Sequence, residues 1–161
     1  MARANPYLYE CRQCRNGNCV LAQLAAQAAR DLSKIFTPDT LPEGTILFRE
    51  GEESGGVFIL CRGEARIYIG DSTHASVTLH TCGPGEAMGL SAVLSDHPYE
   101  VSAELTEHSR LMFIPARDFR RWLQKNHEGS MRVVEFLSDQ VHAAYERVRS
   151  FQTRRAYEHT N

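Results

Sequence analysis

Three cysteines near the start of the chain lie close enough in sequence to surround a single metal. Cys11, Cys14 and Cys19 form the arrangement C-x2-C-x4-C in the segment CRQCRNGNC. Closely spaced thiolates are soft anionic ligands of the kind that zinc and iron–sulfur clusters require. The spacing is compatible with a zinc ion or an iron–sulfur cluster, but the slightly favoured alternative is an N-terminal arm with reduced thiols and no metal, or the relic of a lost cluster. The sequence does not decide among these alternatives, so the cofactor is unknown.

A second candidate for chemistry is the stretch PGEAMGLSAVLSDHPYEVSAE, residues 84–104. Gly85 and Gly89 let the backbone turn tightly or approach a ligand closely, and small apolar residues follow them. Such a loop could hold a phosphate, another ligand or nothing. It offers no nucleophile beside a base, since Ser91 and Ser95 are ordinary loop residues in this interpretation.

The composition limits what can surround these residues. The chain has 161 residues, 42% of them apolar and 24% charged, which is typical of one globular domain with short appendages. A net charge of -2 gives no general attraction to nucleic acid, so any DNA contact needs a local basic patch. No apolar run approaches the ~20 residues that cross a bilayer, and no signal peptide is present, which predicts a cytoplasmic protein without membrane contact.

Two kinds of hydrophobic periodicity divide the first two thirds of the chain. Apolar residues at steps of three and four predict a helix over residues 20–36. Cys61 and Cys82 lie in or beside strand-like runs and are predicted to be buried thiols. These short runs, rich in β-branched and aromatic residues and separated by turn signals, predict an antiparallel barrel or jelly roll with strands at 46–48, 57–60, 65–69, 76–81, 99–105 and 110–115.

Helical periodicity returns after residue 115, with a short helix predicted over 116–126 and a long one from 131 to about 151. Apolar residues of the long helix alternate steps of three and four, which is typical of a coiled-coil seam. A self-complementary seam implies a homodimer, and the alternative is a helix packed on its own barrel. The residues predicted to pair are Val134, Leu137, Val141, Ala144 and Val148.

The strings LPEGTILFREGEESGGVFILCRGEARIYI and LHTCGPGEAMGLSAVLSDHPYEVSAELTEHSRLMFIPARDFRRWL carry a further indication. With PEGT, F-x-EGE, RGE, PGE and a closing IP in this order, residues 41–151 resemble the sensor half of the Crp/Fnr family of bacterial transcription regulators. The resemblance implies an α+β, mainly β fold: a double-stranded β-helix jelly roll like that of cyclic-nucleotide-binding domains, with an N-terminal helix and a long C-terminal dimerisation helix.

The same resemblance suggests how the chain divides. A cysteine-containing arm would occupy residues 1–19, the roll with its flanking helices 20–126, and the dimerisation helix with a tail 127–161. In full-length family members a helix-turn-helix follows the long helix, whereas only QTRRAYEHTN follows residue 151 here. That tail is too short for such a domain, so DNA is expected to be contacted only through a domain absent from this chain. The chain is then a fragment of a longer regulator or a stand-alone sensor.

Family members that bind cyclic AMP or cyclic GMP carry a cassette resembling PGE-FFGELALLSGEPRTATV. Aligned without a gap, Gly89 matches its second glycine, Leu90 falls where the ribose-binding glutamate belongs, and Tyr99 falls where the phosphate-binding arginine belongs. A leucine has no acceptor and a neutral phenol brings no positive charge, whereas a buried phosphate needs both charge and donors. The comparison therefore argues against ordinary cyclic nucleotide binding.

An alternative alignment takes Gly85 and Glu86 as the ribose-binding pair. It leaves the spacing to Pro98 too long and brings Glu100, an anion, near any phosphate. Both alignments thus imply an effector other than ordinary cyclic AMP, or none. The residues predicted to surround the effector pocket are Gly85, Glu86, Gly89, Leu90, Tyr99 and Ser102.

The cysteine cluster resembles that of the oxygen-sensing Fnr branch, in which three N-terminal cysteines and a fourth in the roll bind a [4Fe-4S] cluster. Here the second spacing is one residue shorter, and Met112 stands where the fourth cysteine belongs. A fourth ligand would have to come from Cys82, Cys61, a histidine or a partner chain.

The function predicted from these observations is a sensory domain of a Crp/Fnr-type regulator that signals through a dimer helix. The alternatives are a cyclic-nucleotide-binding regulatory domain and an iron–sulfur or metal redox sensor. A cupin-like metalloenzyme would need two or three histidines converging inside the barrel. Enzymatic activity is not expected, because the histidines of the roll include no H-x-H pair: His74, His80, His97 and His108.

Overall fold

The computed structural model describes residues 19–20, 24, 26–71 and 75–158. Twelve elements follow one another in these ranges: α1 (Ala26–Ser33), β1 (Thr37–Leu41), β2 (Ile46–Phe48), β3 (Gly56–Arg62), β4 (Ala65–Ile69), β5 (Val77–Cys82), β6 (Ala87–Met88), α2 (Leu90–Ser95), β7 (Ser102–Leu105), β8 (Ser109–Pro115), α3 (Ala116–Lys125) and α4 (His127–Glu158).

The eight strands form two antiparallel sheets of four, in the orders β1-β8-β3-β6 and β2-β7-β4-β5. Apolar side chains from both sheets meet in one cluster between them, which is the interior of the roll. Its fully buried members include Leu60 of β3, Ala103 of β7 and Leu111 of β8. Two packed antiparallel sheets with flanking helices confirm the predicted α+β jelly roll.

A second apolar cluster covers the outer face of the first sheet. Val57 and Ile59 of β3 point to it, while Leu60 points into the roll, because successive side chains of a strand face opposite sides. Helices α1, α3 and α4 complete this cluster with Leu32, Trp122 and Phe136 among others. β3 is therefore buried on both faces.

Two strands and one helix in the described ranges were not predicted. β1 has the sequence TPDTL and mostly exposed or half-buried side chains, so it carries no apolar alternation and is ordered by its five-residue pairing with β8. β6 has only two residues, and α2 has six. The first helix was predicted to begin at residue 20, and in the structure it begins at Ala26. Residues 21–23 and 25 lie outside the described ranges.

The long helix α4 begins at His127, four residues before the predicted start, so Asn126 alone separates it from α3. Its first third packs on the roll through Val133 and Phe136, with Leu137 partly buried beside them. Of the residues predicted to pair, Val134, Val141, Ala144 and Val148 are exposed. No helix in the described ranges is long and apolar enough to span a bilayer.

Candidate functional site

A cavity of about 190 Å³ opens between the inner face of the roll and helix α4. β5 and α2 form its sides, and α4 covers it with Phe136, Leu137 and Gln140. The remaining lining residues are Phe48, Ile67, His80, Cys82, Ala87, Met88, Gly89, Leu90, Ser91, Tyr99, Glu100 and Val101. Three residues predicted for the effector pocket, Gly89, Leu90 and Tyr99, therefore line this cavity.

Tyr99 is held at the cavity wall by its hydroxyl and by its ring. The hydroxyl donates to the carbonyl oxygen of Gly56 at 2.6 Å and accepts from the backbone N–H of Gly56 at 3.1 Å. The ring stacks on Phe48 with 4.0 Å between centroids. Burial raises the pKa of Tyr99, and the hydrogen bonds with the backbone of Gly56 and Gly55 oppose this effect. Both hydrogen bonds of the hydroxyl are thus made to the backbone of β3.

Gly89 and Leu90 bring the start of α2 against this wall. Gly89 has φ of 83°, and a Cβ at this position would lie 2.9 Å from Cε1 of Tyr99. A side chain is therefore excluded by both backbone conformation and space. Leu90 is 4% exposed and belongs to the outer apolar cluster, so it contributes only an apolar surface to the cavity.

The other three residues predicted for the pocket lie beside the cavity rather than on its lining. Gly85 and Glu86 form the turn between β5 and β6, where the Gly85 N–H donates to the carbonyl of Leu60 at 2.7 Å. Ser102 is buried in β7, and its hydroxyl accepts from the backbone N–H of Glu50 at 2.9 Å. Ser102 thus holds the β2–β3 loop against the second sheet.

His80 and Cys82 line the cavity from β5 and were not among the predicted site residues. Their Cα partners on β4 are Ile67 and Ala65, whose side chains are buried in the roll. His80 and Cys82 consequently lie on the inner face, with 3.3 Å between Nε2 and Sγ. Period-two alternation within HTC could have indicated this pair, but only once the inward face of β5 was known.

The ionisation of this pair is set by burial and by two nearby charges. Burial and, less strongly, the Glu86 carboxylate raise the pKa of Cys82 to about 12, and the Arg147 guanidinium opposes them. Burial and the Arg147 charge lower the pKa of His80, against the opposing effect of Glu86. A protonated thiol and a neutral imidazole are therefore the favoured states near neutral pH.

The lining of the cavity has little charge. Glu100 is its carboxylate and accepts a hydrogen bond from the hydroxyl of Ser91 at 3.0 Å. Among the described residues, no lysine or arginine lines the cavity. The wall is mainly apolar and aromatic, with imidazole, thiol, hydroxyl and amide groups at a few points. It suits a small ligand, since pockets for drug-sized molecules usually begin at about 300 Å³.

The predicted metal ligands fall largely outside the described residues. Cys11 and Cys14 are not described, whereas Cys19 is buried and packs against the turn before β6. A Cβ at Gly85 would lie 3.1 Å from both Cα and Cβ of Cys19. Met112 is fully buried in the outer apolar cluster. The only group of His, Cys, Asp or Glu with metal-ligand spacing in the described ranges is His80, Cys82 and Glu86.

A family model described as the cyclic nucleotide-binding domain matches residues 38–126, more than half of the chain. The chain therefore belongs to the cyclic nucleotide-binding domain family. No curated protein sequence matches the chain.

Solved structures of low sequence identity share the fold. The catabolite activator protein of Thermus thermophilus is 19% identical with a TM-score of 0.69, over 83% of this chain and 62% of that one. A cyclic nucleotide-binding domain from Methylobacillus flagellatus is 16% identical with a TM-score of 0.75, over 89% and 83%. A c-di-GMP responsive global regulator from Xanthomonas campestris is 17% identical with a TM-score of 0.69, over 83% and 65%. The chain thus spans less than two thirds of either regulator.

Proposed function

We propose that this chain is the sensory module of a Crp/Fnr-type transcription regulator whose effector is not cyclic AMP or cyclic GMP. The observation that supports this is the character of the cavity wall. Tyr99 stands where the resemblance expects a phosphate-binding arginine, and its hydroxyl is already bonded to Gly56. Leu90 stands where a ribose-binding glutamate is expected and is buried. The module binds another effector, or none.

The energetic consequence of these replacements is large compared with ordinary effector affinities. A hydrogen bond to a charged group contributes about 1.5–3 kcal/mol, so the loss of one such pair lowers affinity roughly tenfold to a hundredfold. The carboxylate of Glu100 adds repulsion, because it would face the anionic phosphate. Cyclic nucleotides should therefore bind weakly at most.

Isothermal titration calorimetry with cyclic AMP and cyclic GMP tests the proposal. We expect no saturable heat with either nucleotide at concentrations up to about 1 mM. A dissociation constant of about 1 mM corresponds to a binding free energy of about −4 kcal/mol. Circular dichroism of the same sample controls for folding. Saturable binding in the micromolar range would contradict the proposal and favour the cyclic-nucleotide-binding alternative, and Glu86→Ala should then abolish the binding.

The output of the module is proposed to pass through a symmetric pair of α4 helices in a cytoplasmic homodimer. An apolar stripe on α4 supports this, because Val134, Val141 and Val148 are 50–56% exposed in the single chain. An effector bound against Phe136, Leu137 or Gln140 would contact the same helix. Two helix arrangements with unequal effector affinity are needed for such coupling, and DNA would be contacted by a further domain of the regulator.

A metal or redox sensor is the second candidate. The position of Cys19 supports it, since this cysteine of the C-x2-C-x4-C arrangement packs against Gly85, next to the cavity. Protein purified without air and scanned for bound metal and for a brown chromophore, before and after exposure to air, tests this candidate. A colourless, metal-free sample would exclude an iron–sulfur cluster.

A further inference from the structure

His80, Cys82 and Glu86 bring three different metal-ligand types together beside the cavity between the roll and α4. Nε2 of His80 and Sγ of Cys82 are 3.3 Å apart. One ligand atom from each of the three residues lies within 4.8 Å of the other two. We propose that these residues form a binding site for a divalent transition metal ion, with Zn²⁺ as the matching ion. All three ligands come from β5 and the turn that follows it, and none of them is an N-terminal cysteine.

The spacing of the three side chains matches tetrahedral coordination. Zinc binds sulfur, nitrogen and oxygen at about 2.0–2.3 Å, so ligand atoms around a tetrahedral ion are separated by about 3.4–3.6 Å. The His80–Cys82 pair already has nearly this separation. The remaining distances are at most 4.8 Å, so displacements of the ligand atoms by about 1 Å would bring them to this separation. Binding of the ion would displace the proton of the Cys82 thiol into solvent, and the resulting thiolate and the Glu86 carboxylate would neutralise the two charges of the ion.

The donor set selects the class of metal. A thiolate and an imidazole are soft or intermediate ligands that favour zinc and its neighbours, whereas calcium and magnesium prefer six or more oxygen ligands. Cys82 is 2% exposed, so its sulfur faces the interior of the roll rather than bulk water. Three protein ligands leave a fourth position for water or a ligand in the cavity.

The backbone holds Glu86 in place for this role. One carboxylate oxygen of Glu86 accepts from the backbone N–H of Gly83 at 2.5 Å, which fixes the side chain and leaves the second oxygen for a metal. The peptide groups of Leu60 and the β5–β6 turn exchange two hydrogen bonds, Gly85 N–H to Leu60 O and Leu60 N–H to Glu86 O. Hydrogen-bonded support of this kind orients metal-ligating carboxylates.

Cobalt(II) titration of the full chain carrying Cys11→Ser and Cys14→Ser tests the site, because these substitutions remove the first two cysteines of the N-terminal arm. We expect one Co²⁺ per chain, with an intense thiolate-to-cobalt absorption band and a tetrahedral d–d band that Zn²⁺ displaces. Adding Cys82→Ser to this background should abolish the thiolate band and lower the Zn²⁺ affinity at least tenfold. Cys61→Ser, at another strand cysteine, is the matched control and should retain both signals.

His80→Gln provides a second test if Cys82→Ser disturbs folding, since His80 is only half-buried. It should lower the Zn²⁺ affinity at least tenfold with an unchanged circular dichroism spectrum, while His108→Gln, at an exposed histidine, has no effect. The proposal is overturned if the thiolate band persists in Cys82→Ser, if both histidine variants bind Zn²⁺ equally, or if the background chain binds no metal.

Discussion

Tyr99 connects three parts of the structure that are distant in sequence. Its ring stacks on Phe48 of β2, its hydroxyl exchanges two hydrogen bonds with Gly56 of β3, and its edge excludes a side chain at Gly89. An arginine side chain at this position could not reproduce the stack and both hydroxyl bonds together. Tyr99, which the resemblance aligns with a phosphate-binding arginine, is therefore also a packed member of the roll's interior cluster.

Tyr99→Phe should lower the free energy of unfolding by about 1–3 kcal/mol, because it leaves the buried N–H and carbonyl of Gly56 without the hydroxyl partner. Urea denaturation at neutral pH measures this change. Tyr145→Phe is the matched control, since Tyr145 is 64% exposed, and its effect should stay within about 0.5 kcal/mol. Equal stability of the two variants would show that the hydroxyl bonds contribute nothing.

Tyr99 should also affect how the free energy of unfolding changes with pH in the alkaline range. Burial raises the pKa of Tyr99 above the ordinary 10.0, so the folded state favours the neutral phenol. The resulting stability is complete below pH 10 and is lost as the pH rises from there through the folded-state pKa. Between about pH 8 and pH 11 the wild type should therefore lose more stability than Tyr99→Phe, as measured by urea midpoints. Parallel profiles would contradict the assignment.

At the scale of elements, the joint between α3 and α4 depends on close packing around Gly129. A Cβ there would lie 2.7 Å from Cζ3 of Trp122 and closer still to Cη2. The Trp122 indole is held in turn by a hydrogen bond from Nε1 to the carbonyl of Ala28 at 3.2 Å. Helices α1, α3 and α4 are thereby fixed to one another through a single aromatic side chain.

Gly129→Ala should destabilise the protein by about 1–3 kcal/mol, although alanine is normally the better helix residue by about 1 kcal/mol, because the indole must move. The fluorescence of Trp122, the only tryptophan of the chain, should shift at the same time. Gly55→Ala is the matched control, since a Cβ there meets nothing within 4 Å. A stabilising effect at Gly129 would contradict the packing described here.

The C-terminal half of α4 is the element that most needs a partner. Nearly all of its side chains after Gln140 are exposed, including the apolar Val141, Val148 and Phe151. Most helical stability in proteins comes from packing of an apolar face, which this half of α4 lacks in the single chain, and each half-exposed valine would contribute about 1 kcal/mol on burial. Val141 and Val148 are also among the residues that the sequence predicts to pair.

Val148→Glu should convert the proposed dimer into monomers, because it introduces a charge within the apolar stripe. Sedimentation equilibrium measures the change in mass. Ser150→Glu adds the same charge on the opposite side of the helix and should leave the dimer intact. A wild-type chain that is monomeric at high micromolar concentration would refute the pairing.

Elements with apolar periodicity could be predicted from the sequence. Elements that form only because they pair with a strand distant in sequence could not. The runs that became β3, β4 and β8 are rich in β-branched and aromatic residues and were predicted, whereas TPDTL of β1 is a strand because β8 pairs with it. The cavity follows the same division. Gly89, Leu90 and Tyr99, which the resemblance singled out, line the cavity, whereas the inward direction of His80 and Cys82 depends on the alignment of β5 with β4.

At the scale of the whole molecule, β3 joins the two apolar clusters. Its side chains alternate between the interior of the roll and the layer under the helices, and β3 pairs with both β6 and β8. Loss of either cluster would expose one face of the same strand. The roll and its helical layer are therefore expected to unfold together.

Leu60→Ala should lower the free energy of unfolding by about 2–5 kcal/mol, since Leu60 is fully buried within the roll. The fluorescence of Trp122, which reports on the other cluster, should show the same midpoint as far-UV circular dichroism. Leu94→Ala, at a 37% exposed leucine, should change both signals far less. Separate midpoints for the two signals would show that the clusters unfold independently.

Asn126 is the single residue between α3 and α4, so a small change of angle at this position moves the far end of α4 by a larger distance. Asn126 is fixed by a hydrogen bond from its side-chain amide to the carbonyl of Trp122, and Ser130 donates to the carbonyl of Leu123 across the same corner. With 32 residues, α4 is about 48 Å long, so a tilt of about 5° at this corner swings its far end by about 4 Å. A small rearrangement at the roll would thus displace the tip of α4 by roughly three quarters of the pitch of one helical turn.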